Sequence, residues 1–130
     1  MRIPFIKEKN VEDFEFSQGY LFFWDKIERS NYFLNTIADI YRRTPKEDVG
    51  GRLVSCLLGN PICDGGQWDM WANLIKKYGV IPQAEMSESF SSSQSSEMNK
   101  MLSRKLRENA HDLRKKSTEG FFLFSETRHA

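Results

Sequence analysis

The apolar positions of this chain recur at helical rather than strand spacing. From Tyr20 they fall at 23, 24, 27, 34, 37, 38 and 41, which places them along one side of a helix. Ser17 precedes the run and can accept from an orphan amide of the first turn, Arg42 and Arg43 suit the negative end of the dipole, and Pro45 stops the helix. The pattern therefore predicts a helix from about 18 to 43, roughly 39 Å long. Its first part lies in "FEFSQGYLFFW", residues 14–24, with six aromatic side chains in eleven positions, most simply read as core.

"TPKEDVGG" is a turn by composition, with Pro45, Gly50 and Gly51 as breakers. The short apolar stretch "RLVSCLLGN" predicts a second helix, ended by Gly59, Asn60 and Pro61, with Cys56 expected as a small buried hydrophobe. From Gln67 the helical period returns. Trp68, Trp71, Leu74, Ile75 and Tyr78 share a face, and Gly79 followed by Pro82 predicts a left-handed C-cap with a stop behind it. "SESFSSSQSSE" has seven serines in eleven residues and reads as an exposed loop and helix cap.

A last helix is predicted from about 95 to 116. Met98, Met101, Leu102, Lys105, Leu106, Asn109 and Leu113 line one side, and Lys100, Arg104, Arg107, Arg114, Lys115 and Lys116 the other. That basic side is either a solvated face or a phosphate-binding stripe. The tail "FFLFSETRHA" is hydrophobic without periodicity. There is no internal repeat, and the one strand signal is a short one near Val80 and Ile81. The fold class expected is mainly α, about four helices joined by glycine and proline turns.

Composition narrows the classes without selecting one. At 130 residues, 39% hydrophobic and 28% charged, the chain suits one globular domain. Nineteen Lys and Arg against eighteen Asp and Glu give no overall electrostatic reason to expect nucleic acid or an acidic membrane. No apolar run approaches the roughly 20 residues needed to span a bilayer. "MRIPFIKEKN" is unlike a secretory leader, so a cytoplasmic location is expected. Cys56 and Cys63 are too few for a disulfide framework or a zinc site.

Candidate chemistry is sparse. His111 lies in the basic helix and His129 in the tail, neither at a readable distance from a nucleophile. Cys63 sits in a loop beside Gly65, with no cation or helix N-terminus clearly placed to lower its pKa. Asp25, Glu28, Asp64 and Asp69 are not paired by any spacing, and there is no HExxH, CxxC or phosphate loop. No metal and no cofactor are implied. The unusual segment is "DGGQWDM", residues 64–70, in which two adjacent glycines precede an amphipathic aromatic helix.

The order of segments carries more than any one of them. "FEFSQGYLFFWDKIERSNYFL", "GRLVSCLLGNP", "DGGQWDMWANLIKKYGVIP" and "SESFSSSQSSEMNKMLSRKLRE" together resemble the bleomycin hydrolase and aminopeptidase C family of papain-like cysteine peptidases, over about residues 2 to 117. The resemblance implies the helical half of a papain-like α+β domain in residues 1–117, with 118–130 an unrelated or disordered tail. It implies that Gly65 and Gly66 form a wall of the substrate cleft. There the missing Cβ lets main-chain groups pair with an extended peptide as an added strand.

Gln67 and Trp68 follow where the family lines the pocket for the second substrate residue, although Trp68 reads equally as core. The family's nucleophilic cysteine, oxyanion-hole glutamine, histidine and asparagine match no position here, so no catalytic residue is assigned and this chain alone is expected to be inactive. Ser87 stands where the family usually has proline. Full-length relatives form hexameric barrels and hydrolyse peptides stepwise from the N-terminus, so a peptide substrate and a homo-oligomer are the partners implied, with no membrane. The other class left open is a non-catalytic helical module that co-assembles with full-length subunits, or binds polyanions such as nucleic acid through the last helix.

Overall fold

In the computed structural model the described residues are 14–44, 51–62 and 66–126, with Pro4, Lys7 and Glu8; residues 120–126 are described as backbone. Among them are five helices: α1 (Gln18–Arg43), α2 (Arg52–Gly59), α3 (Trp68–Tyr78), α4 (Phe90–Ser93) and α5 (Ser96–Glu126). They include no strand, only one isolated antiparallel bridge between Phe16 and Pro82. The predicted mainly helical class holds. The chain divides into two compact units, Met1–Ile27 with Asp64–Glu97, and Glu28–Cys63 with Met98–Ala130.

In the second unit the core is Phe33, Ile37 and Tyr41 of α1, Val54 of α2, Ile62 beyond it, and Leu106 and Ala110 of α5. Leu34, Ile40, Leu57, Leu58, Leu102 and Leu113 pack around them. The i, i+4 spacing of 33, 37 and 41 is the helical period seen in the sequence, with Phe33 as a buried position the periodic count left out. Two side chains of α5 close the ends of other helices. The Arg107 guanidinium donates to the carbonyls of Leu58 and Gly59 at 2.8 and 3.2 Å, and the Ser117 hydroxyl donates to the carbonyl of Tyr41 at 3.1 Å. Both satisfy terminal carbonyls that lack an intrahelical partner.

In the first unit Ser17 is the hub. It is buried; its amide donates to the Ile81 carbonyl at 2.9 Å. Its Oγ accepts the Tyr20 amide at 3.0 Å and donates to the Met86 carbonyl at 2.5 Å. The expected N-cap is therefore present, and the same hydroxyl also ties down the segment after α3. A Cβ on Gly19 would lie 3.4 Å from the Ser87 carbonyl oxygen, at the edge of ordinary van der Waals contact. The Gln83 amide donates to the Glu15 carbonyl at 2.8 Å. Around Val80 and Ile81, where a strand was expected, pairing thus reaches a single bridge.

Several expectations are corrected. Cys56 is exposed, not buried, because Val54 takes the inward position of the short α2. On α5 Met101, Lys105 and Asn109 are exposed, since the inward stripe runs through Leu102, Leu106, Ala110 and Leu113. Ala110 is inconspicuous in a count of large apolar residues, yet it is buried in the core. The serine-rich segment includes a helical turn, α4, formed by a reciprocal capping box between Ser89 and Ser92. The helix predicted to stop near 116 continues to Glu126.

Candidate functional site

In the sequence one residue, Gln67, separates the glycine pair from α3. Gly65, Cys63 and Asp64 lie outside the described residues; Gly66 and Gln67 are described and exposed. Gln67 is extended, φ −101° and ψ 157°, and is the N-cap of α3 without a side-chain cap. Its carbonyl accepts from the Met70 amide at 3.1 Å and the Trp71 amide at 3.5 Å. Asp69 in the first turn and Lys76 and Lys77 in the last match the helix dipole.

Trp68, the first residue of α3, is 73% exposed and Met70 42%. The core reading of Trp68 is thereby overturned: the face Trp68, Trp71, Leu74, Ile75 and Tyr78 grades from an exposed N-terminal end to Leu74, which is buried. Trp71 is half-buried, and its ring lies 4.8 Å from that of Trp68 at 36°. The shared face of Trp68 and Trp71 was legible from their Trp-x-x-Trp spacing, which makes residues neighbours on a helix; that the two rings meet at its exposed end was not.

The far end of α3 is firmly held. The Tyr20 hydroxyl donates to the Tyr78 carbonyl at 2.8 Å, and the Trp24 ring stacks on Tyr78 at 3.9 Å and 11°. Lys77 Nζ sits 5.0 Å from the Tyr78 ring centroid. Gly79 ends the helix with φ 74°, its amide donating to the Ile75 carbonyl at 2.8 Å. The positive φ expected of the cap is present, although ψ is −163°, so the residue is extended in the glycine-only region rather than left-handed helical.

The other candidates are dispersed. His111 is exposed, its Nδ1 3.8 Å from Asp112 Oδ1; His129 lies outside the described residues. Among the described residues no group of three or more His, Cys, Asp or Glu is placed to hold a metal ion. Nor is any helix among them long and apolar enough to cross a membrane. On α5 the basic side is partly committed. Lys105 Nζ is 2.7 Å from Glu108 and Arg104 Nε 3.8 Å from it, and Arg107 is the cap of α2. The Lys105 ammonium, first by its hydrogen bond and then by its charge, holds the Glu108 carboxyl below its ordinary range; desolvation opposes this, and the charge of Arg104 adds the least of the lowering effects.

Residues 1–123 match the family model of the Peptidase C1-like family. Bleomycin hydrolase of Gallus gallus is 52% identical over 108 residues, 83% of this chain and 23% of that protein. Aminopeptidase C of Listeria monocytogenes is 50% identical over 109 residues, 84% of this chain and 24% of its own length. Among solved structures, PepW of Lactobacillus rhamnosis superposes with a TM-score of 0.81 at 44% identity, covering 92% of this chain and 26% of that one. The chain thus spans about a quarter of the length of these relatives. With the order of its helices and the aromatic and glycine segments that join them, it belongs to the Peptidase C1-like family, as a mainly helical part of the papain-like fold shared with the bleomycin hydrolases and aminopeptidases C.

Proposed function

We propose that these residues are part of a cytoplasmic thiol aminopeptidase that hydrolyses peptides from the N-terminus, and that they supply one wall of its substrate cleft. Gly65 and Gly66 pair through their main chain with an extended peptide, and Gln67 and Trp68 line the pocket beside it. The observation that carries this reading is the exposed run Gly66, Gln67 and Trp68, with extended backbone at Gln67 and a large aromatic left open to solvent. A peptide laid along such a segment finds main-chain partners and an apolar surface together.

No residue here matches the family's cysteine, histidine or asparagine, so the 130-residue polypeptide by itself does not hydrolyse peptides. In a serine protease, removal of the nucleophile costs about a millionfold. The active form is a homo-oligomer, hexameric as in full-length relatives, and residues 118–130 take no part in the wall. The polyanion reading of α5 draws less support, because Arg107 is engaged with α2 and Arg104 and Lys105 with Glu108.

The wall is tested by replacing the aligned 108 residues of the Gallus gallus bleomycin hydrolase with those of this chain. The graft is expected to release amino acids from aminoacyl-coumarin amides, and Gly66→Val in it to lower kcat/KM by about tenfold or more, about 1.4 kcal/mol. An unchanged kcat/KM in Gly66→Val would remove the wall. Hydrolysis by the 130-residue chain that is blocked by a thiol-directed epoxide and abolished by Cys63→Ala would overturn its inactivity.

A further inference from the structure

Trp68 presents a physical difficulty. It is the first residue of α3, it is 73% exposed, and nothing in the helix cap pins it, because Gln67 gives no side-chain cap bond. An exposed indole on two freely rotating bonds samples several rotamers and would meet a ligand at the cost of ordering that side chain. The Trp71 ring lies 4.8 Å from it, inclined at 36°, within the range of separations at which aromatic pairs attract. Trp71 is itself half-buried, and Leu74, one helical turn further along the same face, is buried. Fixation thus passes from the buried part of α3 to its exposed end.

We propose that Trp71 is a positioning residue: it sets the Trp68 indole in one orientation, so that the wall offers a fixed apolar platform that favours large apolar substrate side chains over small ones. This rests on the cleft-wall reading and deepens it. Trp68 is the residue that touches substrate; Trp71 acts through it. Reducing rotamer freedom before binding raises affinity without adding a contact, so the effect belongs in KM.

Two measurements test it. In the 130-residue chain, coupled indoles give an exciton component in the far-ultraviolet circular dichroism. Trp71→Leu, which keeps apolar bulk, should remove the same component that Trp68→Phe removes, and Trp71→Phe should leave the thermal transition near wild type. In the bleomycin hydrolase graft, peptide-coumarin amides are varied between phenylalanine and alanine at each position in turn. Trp71→Leu should cut the preference for phenylalanine about tenfold, through KM with kcat within about twofold, and Trp71→Phe should restore most of it.

Full retention of the exciton component in Trp71→Leu, or an unchanged preference, overturns the inference. If Gly66→Val and Trp68→Ala also leave kcat/KM unchanged, the cleft wall itself is wrong. If those two act and Trp71→Leu does not, only the positioning role fails.

Discussion

The Tyr20 hydroxyl donates a 2.8 Å hydrogen bond to the main-chain carbonyl of Tyr78, joining the first turn of α1 to the last turn of α3. That carbonyl belongs to a helix end, where it has no intrahelical partner. Trp24, one turn after Tyr20, stacks on the Tyr78 ring, so one tyrosine is held both by its backbone and by its ring.

Tyr20→Phe removes the hydroxyl and keeps the ring. Because it leaves a part-buried carbonyl without its donor, it should cost about 1 kcal/mol, read as a lower urea midpoint with unchanged slope. Trp24→Ala should cost more, about 3 kcal/mol for a large aromatic. A Tyr20→Phe midpoint equal to wild type would mean that water replaces the hydroxyl without loss.

Arg107 carries a different load from the other cations of α5. Its two bonds end on main-chain carbonyls of α2, so Arg107→Met should destabilise by about 1 kcal/mol, a modest figure because the side chain is exposed. Hydrogen exchange of the α2 amides should rise while that of the amides from Phe33 to Tyr41 changes less. Lys116→Met, an exposed cation of the same helix, serves as the comparison and should cost less.

Much of this arrangement was legible in the sequence, for physical reasons. The bounds of α1 follow from a cap at Ser17 and a sustained period, and those of α3 from its aromatic face and Gly79. What escaped were properties decided by neighbours. Cys56 and Val54 are two apolar residues on a two-turn helix, and only packing tells which one turns inward. Ala110 is a core position that a count of large apolar side chains passes over. The open exposure of Trp68 cannot be inferred from its spacing, which fits a buried face equally well. The glycine pair was conspicuous, but the role proposed for it rests on segment order and not on local chemistry.

The Glu108 carboxyl, held below its ordinary range chiefly by Lys105, fixes the sign of a pH effect. A carboxyl with a depressed folded-state pKa adds stability above its unfolded pKa and loses it as pH falls through the folded value. Wild type should therefore exceed Glu108→Gln slightly in Tm at neutral pH, and the difference should vanish below the carboxylate range. The side chains are exposed, so salt should shrink it as well. A carbon-detected titration of Glu108 should give a midpoint below that of an ordinary glutamate, moving up in Lys105→Gln; a midpoint unmoved by that change would assign the shift elsewhere.

Gly79→Ala isolates backbone strain. A Cβ placed there meets nothing within 4 Å, so no clash contributes. With φ at 74° an alanine should cost about 1 to 3 kcal/mol through its dihedrals alone. A thermal melt as stable as wild type would show that the turn can relax to negative φ.

The same turn is a matter of handedness. Reversing the sign of both Gly79 angles gives about −74° and 163°, close to polyproline II, so the conformation forbidden to an L-residue is an ordinary extended one for its mirror image. A chemically synthesised chain with D-alanine at 79 should therefore relieve what L-alanine strains. It should also exceed glycine in stability, since its unfolded form has fewer conformations to lose.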